Sequence, residues 1–355
     1  MNKTKEIKNS GILWIITFAA FVIVIAGLKV AQPIMVPFLF GVFLTILGTV
    51  PLNALQRLRV PKMIAIPCVI LVYFLFFYGV FIILSNSFDG LLKQLPSYTL
   101  KLKELTSTID EWLVSQGQQQ LSGYILPMLQ PDALLDIFGR TIKGFVSTVS
   151  SIVMVLLFIT FMLNEAADFK NKLDAAFGKG INSQNMQGIT KDVQKYLGIK
   201  TLTSILTGVC IALWAWIMGV DFPLLWGFLG MLLNYIPIIG SIIAAIPSIL
   251  LSLLMLDFSS TVILTIGYVL LNFSISNFLE PILMGRRLGL SVLIVFCSLV
   301  FWGWVWGPAG ALMAVPLTMI LKIFLEHNDD LRWFAVFMGN RMSALHTDNK
   351  NPETE

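Results

Sequence analysis

Of all the residues in this chain, Glu280 has the most chemistry to offer. It closes an apolar run, precedes Pro281, and is followed six and seven positions on by Arg286 and Arg287. A carboxylate at membrane depth is costly and marks solute or ion pathways. Glu280 therefore reads as a protonatable coupling group or as a gate paired with one arginine; the competing reading is an interfacial salt bridge that fixes the bend of the linker. Uncharged polar residues gather nearby in sequence: Asn234, Tyr235 and Ser241, then Asn272, Ser274, Ser276 and Asn277. Such a set suits a small polyhydroxylated solute, which needs several neutral donors and acceptors. It also suits a sodium ion, which takes oxygens, among them carbonyls freed at Pro237 and Gly240. Taken singly, each Ser or Asn is better explained by a hydrogen bond between helices; only the cluster points to a site. Trp302, Trp304 and Trp306 alternate with Gly303, Val305 and Gly307, ahead of Pro308. They can stack on a sugar-like ring, although tryptophan at the membrane interface is the commoner use.

Other chemistries lack their parts. Cys68, Cys210 and Cys297 sit in apolar runs with no C-x-x-C spacing, and His327 and His346 lie in the polar tail, so neither a disulfide framework nor a zinc site is expected. The chain has no G-x-x-x-x-G-K-[ST], H-E-x-x-H or G-x-S-x-G, which removes ATP-driven transport and hydrolysis. No enzyme activity and no cofactor are expected. The basic residues do not cluster as a nucleic-acid surface would require.

The elements that must position these residues are membrane helices. Of 355 residues 57% are hydrophobic and 12% charged, against about 25% charged in a soluble domain, and the mean hydropathy is +0.83. A bilayer core needs about 20 helical residues. Runs of that kind occur at 11–28, 30–50, 63–84, 145–163, 201–218 and 260–279, giving six full spans; the first is too long for a signal-peptide core and is read as retained. Two further apolar stretches, 224–256 and 291–325, are too long for one span and too short for two. Each carries breakers near its middle, Asn234 to Gly240 and Trp302 to Pro308. Each reads as a re-entrant or broken helical hairpin, about eight membrane segments in all, whose freed backbone groups must be buried in protein or face water.

The expected fold is thus an all-α polytopic membrane protein with a C-terminal inverted repeat. In each repeat a span is followed by a hairpin, and Ala245-Ile246-Pro247 in one second arm matches Ala314-Val315-Pro316 in the other. Inverted repeats place the solute site near the midplane where hairpin tips meet, which groups Pro237 and Gly240 with Gly307 and Pro308. With both termini cytoplasmic, 18 of the 24 Lys and Arg residues fall inside, as orientation by basic residues requires. The parts are N-terminal spans (1–85), an extracytoplasmic amphipathic arm (86–144), a fourth span with a cytoplasmic segment (145–200), a transport core of two inverted units (201–325) and a cytoplasmic tail (326–355).

The strings NYIPIIGS at 234–241, NFLEPILMGRRLGLS at 277–291 and WGPAGALMAVP at 306–316, with AQPIMVPFLFGVFLTI at 31–46, resemble the autoinducer-2 exporter family of bacterial membrane proteins over nearly the whole chain. The resemblance implies an inner-membrane permease assembled as a homo-oligomer, a pentamer, and working by an elevator-like movement. Members are assigned export of the quorum-sensing furanone autoinducer-2 or sodium(lithium)/proton antiport. The expected partners are the lipid bilayer, further copies of the chain, a small polar solute and a coupling ion, proton or sodium. Export of autoinducer-2 is the leading expectation. Antiport wants a deeper carboxylate than Glu280, Asp221 or Asp257 at span ends, and a channel-like scaffold wants polar rings along a full span, which spans one to four lack.

Overall fold

The computed structural model describes residues 3–116, 152–166, 181–237, 239–284, 290–326 and 331–339. Among these residues the secondary structure is entirely helical. Among the described residues six helices are long and apolar enough to cross a membrane, with such segments at Gly11–Val30, Gln32–Arg57, Lys62–Leu91, Val193–Ile217, Phe258–Met284 and Val292–Glu326. Five coincide with spans expected from the sequence. The expected span at 145–163 is represented by the shorter apolar helix Ile152–Ala166, its beginning lying outside the described residues.

The helices are α1 (Lys3–Val30), α2 (Gln32–Arg57), α3 (Lys62–Ser115), α4 (Ile152–Ala166), α5 (Ile181–Ile217), α6 (Pro223–Leu233), α7 (Gly240–Met255), α8 (Phe258–Ser274), α9 (Glu280–Met284), α10 (Val292–Glu326) and α11 (Arg332–Met338). A π-helical turn, Ile275–Leu279, joins α8 to α9. The chain forms two compact units, residues 44–288 and residues 1–43 with 289–355.

In the first of these units α5 packs along α6 and α8, and α7 lies between α6 and α8. The close fit of α5 on α6 comes from small residues. A Cβ on Gly208 would sit 2.7 Å from the carbonyl oxygen of Gly227, and one on Gly227 would sit 2.5 Å from that of Gly208. Glycines let membrane helices approach to backbone contact, where van der Waals packing replaces a hydrophobic driving force that lipid cannot supply. α5 ends at Gly219, at φ 72°, with Gly219 N donating to Trp216 O and Val220 N to Ala215 O. This pair of bonds is the usual way a left-handed residue closes a helix.

Residues 224–256 are indeed a hairpin. α6 has 11 residues and α7 has 16, so the arms are about 16 and 24 Å long at 1.5 Å per residue. The turn is tight enough that Gly240 meets the carbonyl of Leu233. The amphipathic arm, in contrast, is no separate element. α3 continues through Pro96 for 54 residues, about 80 Å, so its apolar first part and its polar second part are one rod. Tyr98 on that rod donates to Asp221 Oδ2 at 2.7 Å, next to the left-handed Phe222 whose ring packs on Gly90. Burial and the Asp221 carboxylate both push the Tyr98 phenol above its ordinary pKa, keeping it a donor. Residues 117–144 of the expected arm lie outside the described residues.

α8 starts on an Asp257 cap that accepts from the hydroxyls of Ser259 and Ser260 and from the amide of Ser260. These donors hold its carboxyl down at about 2. A depressed folded-state pKa contributes stability above the ordinary carboxyl range and loses it as pH falls through the folded value. We expect Asp257→Ala to unfold more easily than the parent at pH 5, and the gap to narrow as pH falls from 4 to 2. Thermal unfolding by circular dichroism at each pH checks this; a gap independent of pH would show that the cap acts without its charge.

In the second unit, residues 291–325 also fold back on themselves. The backbone of α10 leaves helical geometry at Trp306 and at Gly307, where φ is 63° and ψ is −148°. Ser298 Oγ donates to Ala314 O at 2.9 Å and touches Thr318 Oγ1. In an unbroken helix residues 298 and 314 would stand about 24 Å apart, so 292–305 and 308–326 are two arms of one hairpin. The break is tied to the end of α1: Trp306 Nε1 donates to Leu28 O at 2.9 Å, and Gln32 Nε2 reaches Trp306 O at 3.5 Å.

Candidate functional site

The first unit carries a polar cluster on one face of α5. Lys200, Ser204 and Thr207 recur at spacings of four and three, so they share a helical face. Lys200 Nζ donates to both carboxylate oxygens of Glu280 at 2.9 Å. The two side chains are only 6% and 16% exposed. At the next position of α5, Tyr235 Oη donates to Thr201 Oγ1 at 2.8 Å. Asn234 Nδ2 donates to Ser204 Oγ at 3.0 Å. The tip of the α6–α7 hairpin is therefore fastened to α5 by two side-chain bonds beside a buried ion pair.

Local chemistry explains why hydroxyl residues stand there. Thr201, Thr203 and Thr207 each donate their own hydroxyl hydrogen back to a carbonyl of α5, Leu197 O, Lys200 O and Thr203 O. That leaves the Thr201 oxygen free to accept from Tyr235, and none of these three threonine donors is stranded in an apolar bundle. The π-helical turn acts on Glu280 directly, since Glu280 is the residue that follows it. Such turns occur as single widened turns in α-helices, often at functional sites.

The structure gathers Asn234, Tyr235 and Glu280 on α5. Pro237, Gly240 and Ser241 form the adjoining turn and the start of α7, with Gly240 N bonded to Ile236 O. Asn272 and Asn277 are not drawn in: each amide donates back to its own helix, to Tyr268 O at 2.9 Å and to Phe273 O at 3.1 Å. Asn272 Oδ1 is buried with no partner among the described residues. Ser274 and Ser276 are exposed. Gly307 and Pro308 make the break of α10 in the other unit. There Trp302 and Trp306 stack on each other at 4.8 Å and Lys29 Nζ lies 4.4 Å over the Trp304 ring, so the indoles are occupied within that unit. Arg286 and Arg287 lie outside the described residues.

Glu280 differs from its expected setting in two ways. Its helix does not stop at Leu279; the apolar segment Phe258–Met284 carries it inside. Its partner is Lys200, which by charge counting alone looks like one more cytoplasmic lysine. Sequence reasoning missed Lys200, Thr201 and Ser204 because the polar segment before residue 201 reads as a separate island, whereas α5 runs through from Ile181. The signal that could have found them is the spacing of Lys200, Ser204 and Thr207 on one face.

Residues 18–329 match the family described as AI-2E family transporter. A Haemophilus influenzae protein assigned to transport without a named substrate is 34% identical over 331 residues, covering 91% of this chain and 94% of its own. The AI-2 transport protein TqsA of Escherichia coli strain K12 is 32% identical over 334 residues, 93% of this chain and 96% of its own. The similarly assigned transport protein YhhT of the same organism is 29% identical over 338 residues, 95% and 97%.

Proposed function

Because the chain belongs to the AI-2E transporter family, and is thus a multi-span membrane transporter and not an enzyme, we propose that it exports autoinducer-2 from a bacterial cell as a secondary transporter of the inner membrane. The observation that carries this reading is the seat of the first hairpin: a broken apolar element whose Asn234 and Tyr235 meet Ser204 and Thr201 beside the Lys200–Glu280 pair. Neutral donors and acceptors next to a charge-compensated pair suit a small polar solute without net attraction for either sign of ion. The solute competes for the bonds that Asn234 and Tyr235 make to α5.

The hairpins further support a repeat. A Cβ on Gly240 would lie 1.8 Å from Leu233 O and 3.1 Å from the Ile236 Cβ; one on Gly310 would lie 2.0 Å from Trp302 O and 3.0 Å from the Trp306 Cβ. Two hairpins each closed by a glycine against a carbonyl, seven residues back in one and eight in the other, are expected of two copies of one module, each a span plus a re-entrant hairpin, inverted as in other transporters. Eight membrane segments, cytoplasmic termini and a homo-pentamer complete the reading. We expect Gln118→Cys to be labelled by an impermeant thiol reagent in intact cells of a strain lacking the native cysteines, with Arg59→Cys and Leu345→Cys protected. Labelling at 59 would overturn the orientation.

A second reading, sodium(lithium)/proton antiport, gains from one observation: Glu280 lies within the apolar segment Phe258–Met284, is largely enclosed at 16% exposure and is paired, as a coupling carboxylate would be. Purified protein in liposomes separates the two. Autoinducer-2 flux that responds to a proton or sodium gradient supports export, whereas cation–proton exchange with no autoinducer-2 flux replaces it with antiport.

A further inference from the structure

The hairpin seat has a floor. α5 receives Asn234 at Ser204, Tyr235 at Thr201 and Glu280 at Lys200, so the ion pair comes next after the tip as α5 is followed back from Ile217. Lys200 lies about 25 Å from that end at 1.5 Å per residue. A solute leaving the tip along α5 toward Val193 meets the pair at once. Tip and pair pack closely: Ser204 is 0% exposed, Lys200 and Asn234 are buried, and Thr201, Tyr235 and Glu280 are partly buried.

We propose that Lys200 and Glu280 are gating residues that close the solute route beneath the first hairpin, and that the gate opens by movement of the π-helical turn Ile275–Leu279. This rests on the transport reading above and names its gate. A π turn holds one residue more than the α turn it replaces. When it moves along a helix, each residue it passes turns by about 100°, the angle per residue of an α-helix with 3.6 residues per turn. Glu280 is the first residue beyond the turn. A shift toward Met284 therefore swings the carboxylate off Lys200 without unfolding the helix. Two widely spaced segments of sequence are joined this way: the polar face of α5 fixes one half of the gate, and the irregular turn moves the other half.

The test reads gate opening without using the solute. Ser204→Cys is placed in a chain lacking Cys68, Cys210 and Cys297, and the full protein in liposomes is treated with N-ethylmaleimide. Labelling is expected to be slow in this parent and about tenfold faster with Lys200→Gln/Glu280→Gln, a factor corresponding to 1.4 kcal/mol. The swapped pair Lys200→Glu/Glu280→Lys is expected to label at the parent rate. Deleting Ser276 turns the π turn into an α turn while leaving Glu280 on the same face, so the gate stays paired but cannot move, and labelling falls below the parent rate. Should the doubly neutral chain fail to accumulate, Glu280→Asp replaces it; it keeps the charge, shortens the reach and is also expected to label faster. Equal labelling of the neutral or shortened pair and the parent would make the pair purely structural. Unchanged labelling after the Ser276 deletion would remove the π turn from the gate. Because N-ethylmaleimide is the probe, the gate can stand while autoinducer-2 flux fails, or fall while that flux is seen.

Discussion

Glu280→Gln is expected to destabilise the protein by roughly 3–5 kcal/mol, the range for removing one partner of a buried ion pair, and to abolish transport. The Lys200 side chain, 6% exposed, would be left with a single neutral amide oxygen facing it in place of two carboxylate oxygens. Lys200→Gln should be as damaging for the mirror reason. The double variant Lys200→Gln/Glu280→Gln removes both charges and is expected to recover most of the stability, because the penalty is that of an unpaired charge more than of a lost attraction. Chemical unfolding in detergent micelles for the four proteins closes a double-mutant cycle. Additive losses would mean that the two side chains are not coupled, and would remove the basis for placing them in the solute path.

Gly240→Ala and Gly310→Ala carry the second large effect. The added methyl would lie 1.8 Å from the Leu233 carbonyl oxygen in one hairpin and 2.0 Å from that of Trp302 in the other. Both obstacles are backbone, so no rotamer can relieve them, and the arms must separate. Overpacking costs about 1–3 kcal/mol where side chains can adjust; here we expect the upper end or beyond, seen as low accumulation and early unfolding. Gly303→Ala is the control, since its Cβ would meet only Ala311 at 3.7 Å, an ordinary contact. If Gly240→Ala unfolds like Gly303→Ala, the hairpin is looser than described and its closure cannot define a repeat.

Much of the candidate site's composition was legible residue by residue. Asn234, Tyr235, Pro237 and Gly240 announced a break inside an apolar stretch, and Glu280 announced a charge where charge is costly. Asn272 and Asn277 were equally polar and equally near, but they point their amides back onto their own helix. Polarity near a break is thus a necessary sign of a site and an insufficient one. Direction around the helix decides the rest, and direction is not a property of residue type.

The sequence by itself determined the membrane helices, the two broken stretches and the family, because apolar length and backbone breakers are local: a run of about 20 apolar residues spans a bilayer whatever its neighbours are, and Pro or Gly interrupts a helix where it stands. Only the tertiary structure decided which groups meet. Lys200 and Glu280 are 80 positions apart, and Trp306 and Leu28 are 278 apart. Their meeting depends on the rotational phase of each helix, which advances by about 100° per residue. A single π turn before Glu280, or the continuation of α5 through residues that look like a loop, shifts that phase and is invisible in composition. That is why Lys200 looked like a solvent-facing lysine and is instead the buried partner of the carboxylate.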